Sequence, residues 1–341
     1  MSDKQSPIDS VTPLTFPWQT RDPFLFCAYH NDPYPAGNAD LGPAASLAGR
    51  QIGQDFDTRN GWRMYHGEQV PGFPQHPHRG FETVTIVNQG HVDHADSLGA
   101  TARFGSGDVQ WLTAGKGIVH AEMFPLLDET KENPLELFQV WLNLPAAKKM
   151  VPPHFTMLWK DSISSVIDTD DNGLKASIRI ISGQYGDAKG PHTPPDSWAA
   201  DPSSKVNIWT IDLEAGATWT LPATASEVVR TLYFYQGGDL EVADASIPVD
   251  HMIELKAQTD IKLHAVEQSA RLLLLEGRPI DEPVAHYGPF VMNNRDELEQ
   301  AFKDYHQTGF GEWPWPDSGP VHARESGRFA LHADGKKEQA S

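Results

Sequence analysis

The segment Gln75-His76-Pro77-His78-Arg79-Gly80-Phe81-Glu82 sets two histidines two residues apart. On a β-strand such residues point to the same face, so His76 and His78 would present two imidazoles to one point. His120-Ala121-Glu122 repeats the spacing further along. If neighbouring strands aim both pairs inward, three neutral imidazoles and one carboxylate converge. Such a set binds a divalent first-row metal and leaves positions open in an octahedral shell; the nearest generic type is the two-His, one-carboxylate site of non-haem iron oxygenases. The competing explanation is chance. The chain has 15 histidines, and an HxH pair can pack or hydrogen-bond without a metal. Two pairs of one spacing, separated by Gly-turned strands, favour the metal. Glu82 is a rival carboxylate, and its non-ligand role would be a buried hydrogen-bond partner orienting a histidine.

Other polar residues nearby carry weaker signals. Arg79 reads as a salt-bridge partner before a substrate-facing cation. Lys116, on a Gly-rich turn, reads as solvated. Gln110 and Trp111 lie on a strand leading to the site, with Trp111 in the core. His91 and His94 follow a turn and are not two apart, so both read as surface residues. The second half holds His192, His251, His264 and His286 without an HxH or HxE pair. Its barrel is expected to bind no metal.

Short strands must position these groups. Glu82–Val87 is rich in β-branched residues and stops at Gln89-Gly90; Val109–Leu112 and Ile118–Met123 flank the turn Ala114-Gly115-Lys116-Gly117. Leu135–Leu144 is almost all apolar, as in a strand buried on both faces. Regular Gly turns between short strands point to an all-β sandwich or barrel. Leu232–Glu241 echoes Val84–Asp93, with an apolar strand, a Gln-Gly turn and a polar strand, and Arg271–Leu275 corresponds to Phe138–Leu142. The repeat suggests two similar barrels in tandem: an N-terminal metal-binding domain over 1–160, a second over 161–292, and a helix with an extended tail over 293–341. Asn294 and Glu297 form a capping-box-like start. Leu298, Ala301, Phe302 and Tyr305 then share one helical face, and Gly309 is the stop. Residues 1–20 read as a loose arm and 31–60 as a long irregular loop. The tail after about residue 312 reads as extended and disordered near its end.

Forty-six acidic against 27 basic residues leave a net charge of −19. Such a surface repels phosphate backbones, so direct nucleic-acid binding is not expected. Cys27 is the single cysteine, which leaves no intrachain disulfide. The polar N-terminus has no signal-peptide core and no run is long enough for a membrane span. A cytoplasmic location is the expectation.

The resemblance to a known family is carried by HPHRGFET (His76–Thr83), GDVQWLTAGKGIVHAE (Gly107–Glu122), WLNLP (Trp141–Pro145) and YGPFVMN (Tyr287–Asn293). These match the pirin family, in the right order over most of the chain. The resemblance implies two cupin (double-stranded β-helix) barrels, with a C-terminal segment returning to the first. It implies one divalent ion, Fe(II) foremost, with Mn, Ni, Cu or Zn as alternatives, on His76, His78, His120 and Glu122. The broader cupin pattern would instead select Glu82. The chain departs from the family over Pro33–Arg63, which looks like an insertion able to cover the pocket mouth or form an oligomer contact, and beyond Gly311. Two functions follow. One is an iron-dependent dioxygenase of flavonol-like, quercetin-type aromatic substrates, with Glu122 or Glu82 as the catalytic base. The other is a non-catalytic, metal-dependent regulator that binds a protein partner, in the manner of a transcriptional co-regulator.

Overall fold

The structure, a computed structural model, describes residues 6–340. The start of the expected N-terminal arm and the last residue of the tail lie outside the described residues. Strands dominate, as the all-β reading expects, and one α-helix is present among the described residues. The first ten strands are β1 (Ile8–Pro13), β2 (Phe24–Tyr34), β3 (Gly72–His78), β4 (Phe81–Gln89), β5 (His91–Asp96), β6 (Thr101–Gly105), β7 (Val109–Thr113), β8 (Ile118–Met123), β9 (Asn133–Asn143) and β10 (His154–Leu158).

The chain forms two compact units, Met1–Cys27 with Asp161–Asp281 and Ala28–Lys160 with Glu282–Ser341. Neither unit is contiguous in sequence, since each takes in one end of the chain. At the N-terminus the cause is β1, which pairs antiparallel with strand His251–Leu255. Residues 8–13 are therefore a sheet strand and not part of a loose arm.

In the unit that holds the histidine pairs, one sheet runs β10-β7-β4-β9-β2. The other runs β6-β5-β8-β3, and β6 is extended by Phe329–Leu331 and Lys337–Gln339. The pairings among β10, β7, β4 and β9, and those of the second sheet, are antiparallel. Side chains alternate between the faces of each sheet. Val87, Leu112, Leu135 and Leu137 from the first sheet thus meet Val92, Ala102, Phe104 and Ile118 from the second in one apolar core.

The other unit repeats this plan. Its strand Val229–Gly237 sits between His251–Leu255 and Ala270–Gly277, as β4 sits between β7 and β9. Its strand Ile261–Ala265 lies between Thr218–Leu221 and Leu240–Val242, as β8 lies between β3 and β5. The duplicated rhythm of the sequence is therefore structural. In that unit Trp219, Leu221, Ile261 and Leu263 belong to an apolar core cluster.

The helix α1 spans Arg295–Thr308. The Asn294 side chain accepts from the Glu297 N–H, and Gly309 at φ 59° closes it. The Glu297 carboxylate turns back to accept from the Asn293 N–H at 2.9 Å. Leu298 and Ala301 are buried beside Phe290 and Met292 of the YGPFVMN segment. That segment docks next to the first histidine pair, with the Val291 N–H donating to the Arg79 carbonyl at 3.0 Å. Gly80 is required there. Its φ is +87° and any Cβ would overlap the Val291 carbonyl oxygen, so both backbone conformation and close approach select glycine. The buried Lys149 ammonium donates to Gly80 O, Asn143 Oδ1 and Val291 O at 2.7, 2.7 and 3.2 Å. It thereby ties the WLNLP and YGPFVMN motifs to the start of β4.

The tail is the main departure from the sequence expectation. It is ordered structure laid over the outer face of β5 and β6. Arg103 donates to both Asp93 oxygens at 2.7 Å and to the carbonyls of His322 and Ala323 at 2.9 and 2.8 Å. Phe329–Leu331 pairs with β6, and Trp315 Nε1 donates to the Asp96 carbonyl at 2.8 Å. Outward-facing charges inside a sheet need a covering partner, and the tail provides it. The loop expected at 31–60 begins later, because β2 continues to Tyr34, and no named strand interrupts it before β3. Arg50 organises it, donating to Asp55 at 2.6 Å and to the Trp62 carbonyl at 3.0 Å while lying 3.5 Å over the Trp62 ring. Among the described residues no helix is long and apolar enough to cross a membrane.

Candidate metal centre

β3 and β8 run antiparallel with His76 opposite His120 and Phe73 opposite Glu122. A bulge between Phe73 and His76 shifts the register. A bulge re-aims the side chains that follow it, so His76 and His78 share the barrel interior with Phe73. On β8, His120 and Glu122 face inward with Ile118, a core residue. The sequence-predicted histidines therefore come together. His76, His78 and His120 each offer a ring nitrogen, and these lie within 4.8 Å of one another. The ring centroids are 4.4 Å apart for His76–His120, 4.8 Å for His76–His78 and 4.9 Å for His78–His120.

Burial holds these imidazoles neutral. It pushes His76 down to about 4, and His78 and His120 well below the ordinary histidine value. His76 Nδ1 lies 2.9 Å from the Pro74 carbonyl. A carbonyl only accepts, so Nδ1 carries the proton and Nε2 keeps its lone pair. His78 Nδ1 and both nitrogens of His120 are buried without a hydrogen-bond partner. Unpaired buried polar atoms are costly, and in a cluster of three they fit a metal ion, whose ligands must be deprotonated. The donor set, nitrogen with a neighbouring carboxylate, suits a first-row divalent ion.

Glu122 is buried at 3% exposure. Its oxygens accept from Thr85 Oγ1 at 2.8 Å and Gln139 Nε2 at 2.7 Å. Burial raises its pKa, partly offset by Thr85, His94 and Gln139. It does not belong to the three-residue group within 4.8 Å, although it shares the inner face of β8 with His120. Glu82 has a different address. On β4 the inward residues are Thr83, Thr85 and Val87, so Glu82 faces the opposite side of the sheet. There it is fully buried and accepts from Thr113 Oγ1 at 2.7 Å.

Two readings of nearby residues need correction. His94 is not on the surface but fully buried, and His91 is half-buried. β5 lies between β6 and β8, so His94 points into the barrel opposite Glu122. Its ring is 5.6 Å from His120, and its Nε2 lies 3.1 Å from Asp96 Oδ2. The His94-Ala95-Asp96 spacing is the sequence signal that could have placed it. Thr85 and Gln139, which hold Glu122, had no such signal. Other readings stand: Arg79 pairs with Asp304 at 2.7 Å, Lys116 is exposed and Trp111 is core. Phe73 and Trp141 add ring contacts to His76 and His78 at 6.3 and 5.4 Å.

The Pirin family profile matches residues 14–142, and the profile of the pirin C-terminal cupin domain matches 208–311. A proposed quercetin 2,3-dioxygenase of Pseudomonas aeruginosa is 38% identical over 71% of this chain and 80% of its own length. The chain belongs to the pirin family. A pirin-like protein of Caulobacter vibrioides is 37% identical, covering 71% of this chain and 82% of that one. Among solved structures, a quercetin 2,3-dioxygenase from Acinetobacter baumannii superposes with a TM-score of 0.70 at 27% identity, over 89% of this chain and 98% of that one. This pirin is thus a bicupin with a candidate histidine metal site in one barrel. Its tail after Gly311 lies beyond the matched family region.

The neutral cluster makes the apoprotein acid-sensitive. An unfolded histidine titrates near 6.5, whereas folded His76 titrates at about 4. With the folded value depressed, the stability contribution is complete above the unfolded pKa and is lost as pH falls through the folded one. Metal-free protein is expected to show a lower urea midpoint at pH 5 than at pH 7. Equal midpoints would contradict burial of neutral imidazoles.

Proposed function

We propose that this pirin is an iron(II)-dependent dioxygenase acting on flavonol-like substrates, with His76, His78, His120 and Glu122 as the metal ligands. The observation that carries the reading is the trio of converging neutral imidazoles, with unpartnered buried nitrogens on His78 and His120, beside a buried carboxylate. The names of relatives that cover most of this chain support the substrate class. Bound iron(II) would supply Lewis acidity and the one-electron chemistry that dioxygen needs.

The chain's own residues do the rest. The His76 Nδ1 bond to Pro74 fixes the ring so that Nε2 is the free donor. Thr85 and Gln139 hold the Glu122 carboxylate in one orientation. A carboxylate whose pKa burial has raised is a competent acceptor for a hydroxyl proton of an enediol, so Glu122 is assigned as base. Glu82, bound to Thr113 on the other face of β4, keeps a structural role. Phe73 and Trp141 supply aromatic walls near the histidines.

Oxygen uptake with quercetin tests the reading. Iron-loaded wild type is expected to consume oxygen, and His120→Ala at equal added iron to lose more than about 100-fold of that rate, as fits removal of an inner ligand. The comparison matters because free ferrous iron also promotes flavonol oxidation. Equal rates in the two proteins, or none in either, would remove the enzyme reading.

A further inference from the structure

The histidine cluster is not sealed. His78 and His120 are buried, whereas His76 is only partly so. His76 lines a pocket of about 680 Å³, large enough for a drug-sized molecule. Three carboxylates, Asp40, Glu68 and Asp317, also line it, and no lysine or arginine does among the described residues. All three are exposed.

The wall that carries Asp317 is fixed in place. The Gln75 N–H, beside His76, donates to the Ser318 carbonyl at 2.6 Å. Asp317 Oδ1 accepts from the Gly319 N–H at 3.0 Å, and Trp313 Nε1 donates to the Asp317 carbonyl at 2.7 Å. Gly319 packs against Met123, so closely that a Cβ would stand 3.1 Å from its sulfur. Asp40 and Glu68 come from the loop between β2 and β3. The tail wall belongs to the segment beyond the matched family region. The mouth beside His76 is therefore shaped in part by sequence that the family profile does not cover.

We propose that this pocket is an outer subsite of the metal centre, and that it selects molecules whose projecting part is cationic or hydroxyl-bearing and rejects those that project a carboxylate or sulfonate. The inference rests on the metal-centre reading and deepens it. Three like charges around one concavity create a negative potential that is strongest at low ionic strength. Hydroxyl and ammonium groups donate to carboxylates, whereas a ligand carboxylate is repelled by all three and finds no lysine or arginine in the lining to offset them.

The test uses full-length, metal-loaded protein and two probes with the same metal-binding catechol but opposite charge, dopamine and 3,4-dihydroxybenzoate. Calorimetry at low ionic strength is expected to give dopamine an advantage of about tenfold or more. In the double variant Glu68→Gln/Asp317→Asn the advantage shrinks to about threefold or less, with metal content unchanged. High salt shrinks it in wild type as well. Equal affinities in wild type, a ratio that the variant leaves unaltered, or no binding of either catechol overturns the subsite. Flavonol turnover separates the two ideas. If quercetin is not consumed but the dopamine preference holds, the proposed reaction falls and the subsite stands. If quercetin is consumed but there is no charge preference, the subsite alone falls.

Discussion

Alanine at His120 is expected to empty the metal site, lowering affinity by more than about 100-fold. His120 is fully buried, carries no hydrogen bond on either nitrogen, and lies within ring contact of both His76 and His78. No neighbouring group in the cluster replaces its lone pair. His76→Ala and His78→Ala are expected to act in the same direction. Among the acidic residues, Glu122→Ala is expected to weaken retention more than Glu82→Ala, because the strand alternation that turns Thr85 inward turns Glu82 away. Elemental analysis after anaerobic Fe(II) loading and desalting measures this. Wild type should retain about one metal per chain, as one four-ligand site allows. Metal lost from Glu82→Ala but kept by Glu122→Ala would show that the general cupin pattern was the better guide to the carboxylate.

Arg103→Met is expected to be the most destabilising change away from the site, costing about 3–5 kcal/mol. Arg103 and Asp93 are both fully buried, and the same guanidinium collects tail carbonyls from His322 and Ala323. Removing the cation leaves a buried carboxylate without its counterion, and Asp93 keeps only neutral donors such as the His322 N–H at 2.8 Å. The tail should loosen with it. Urea unfolding reads the stability, and limited proteolysis reads cleavage after about residue 312. A variant with the wild-type midpoint and an equally resistant tail would contradict this account of how the tail is held.

The difference between these two sites shows what a sequence makes legible. The histidine pairs could be read because strand alternation is a local rule, and each ligand pair obeys it within three residues. The second barrel could be read from the Gln-Gly turn that recurs after both central strands. Local rules did not reveal the bulge between Phe73 and His76, yet that bulge is what aims His76 and His78 to the same side as Phe73. His94 was misplaced because the face of β5 that is buried depends on β8 and β6 lying on either side of it. The tail looked extended, with a disordered end, because its partners are Asp93 and Arg103, more than 200 residues earlier in sequence. Polar composition alone carries no sign of such a pairing. β1 was missed for the same reason, since its partner strand His251–Leu255 is remote in sequence.

The central claim is that His76, His78, His120 and Glu122 hold one metal ion. Anomalous diffraction from crystals of the iron-loaded protein, recorded on both sides of the iron edge, tests it directly. One strong difference peak per chain is expected, about 2.0–2.3 Å from a nitrogen of each of the three histidines and from an oxygen of Glu122. A peak ligated by Glu82, a peak elsewhere in the chain, or no peak within reach of the three imidazoles would contradict it.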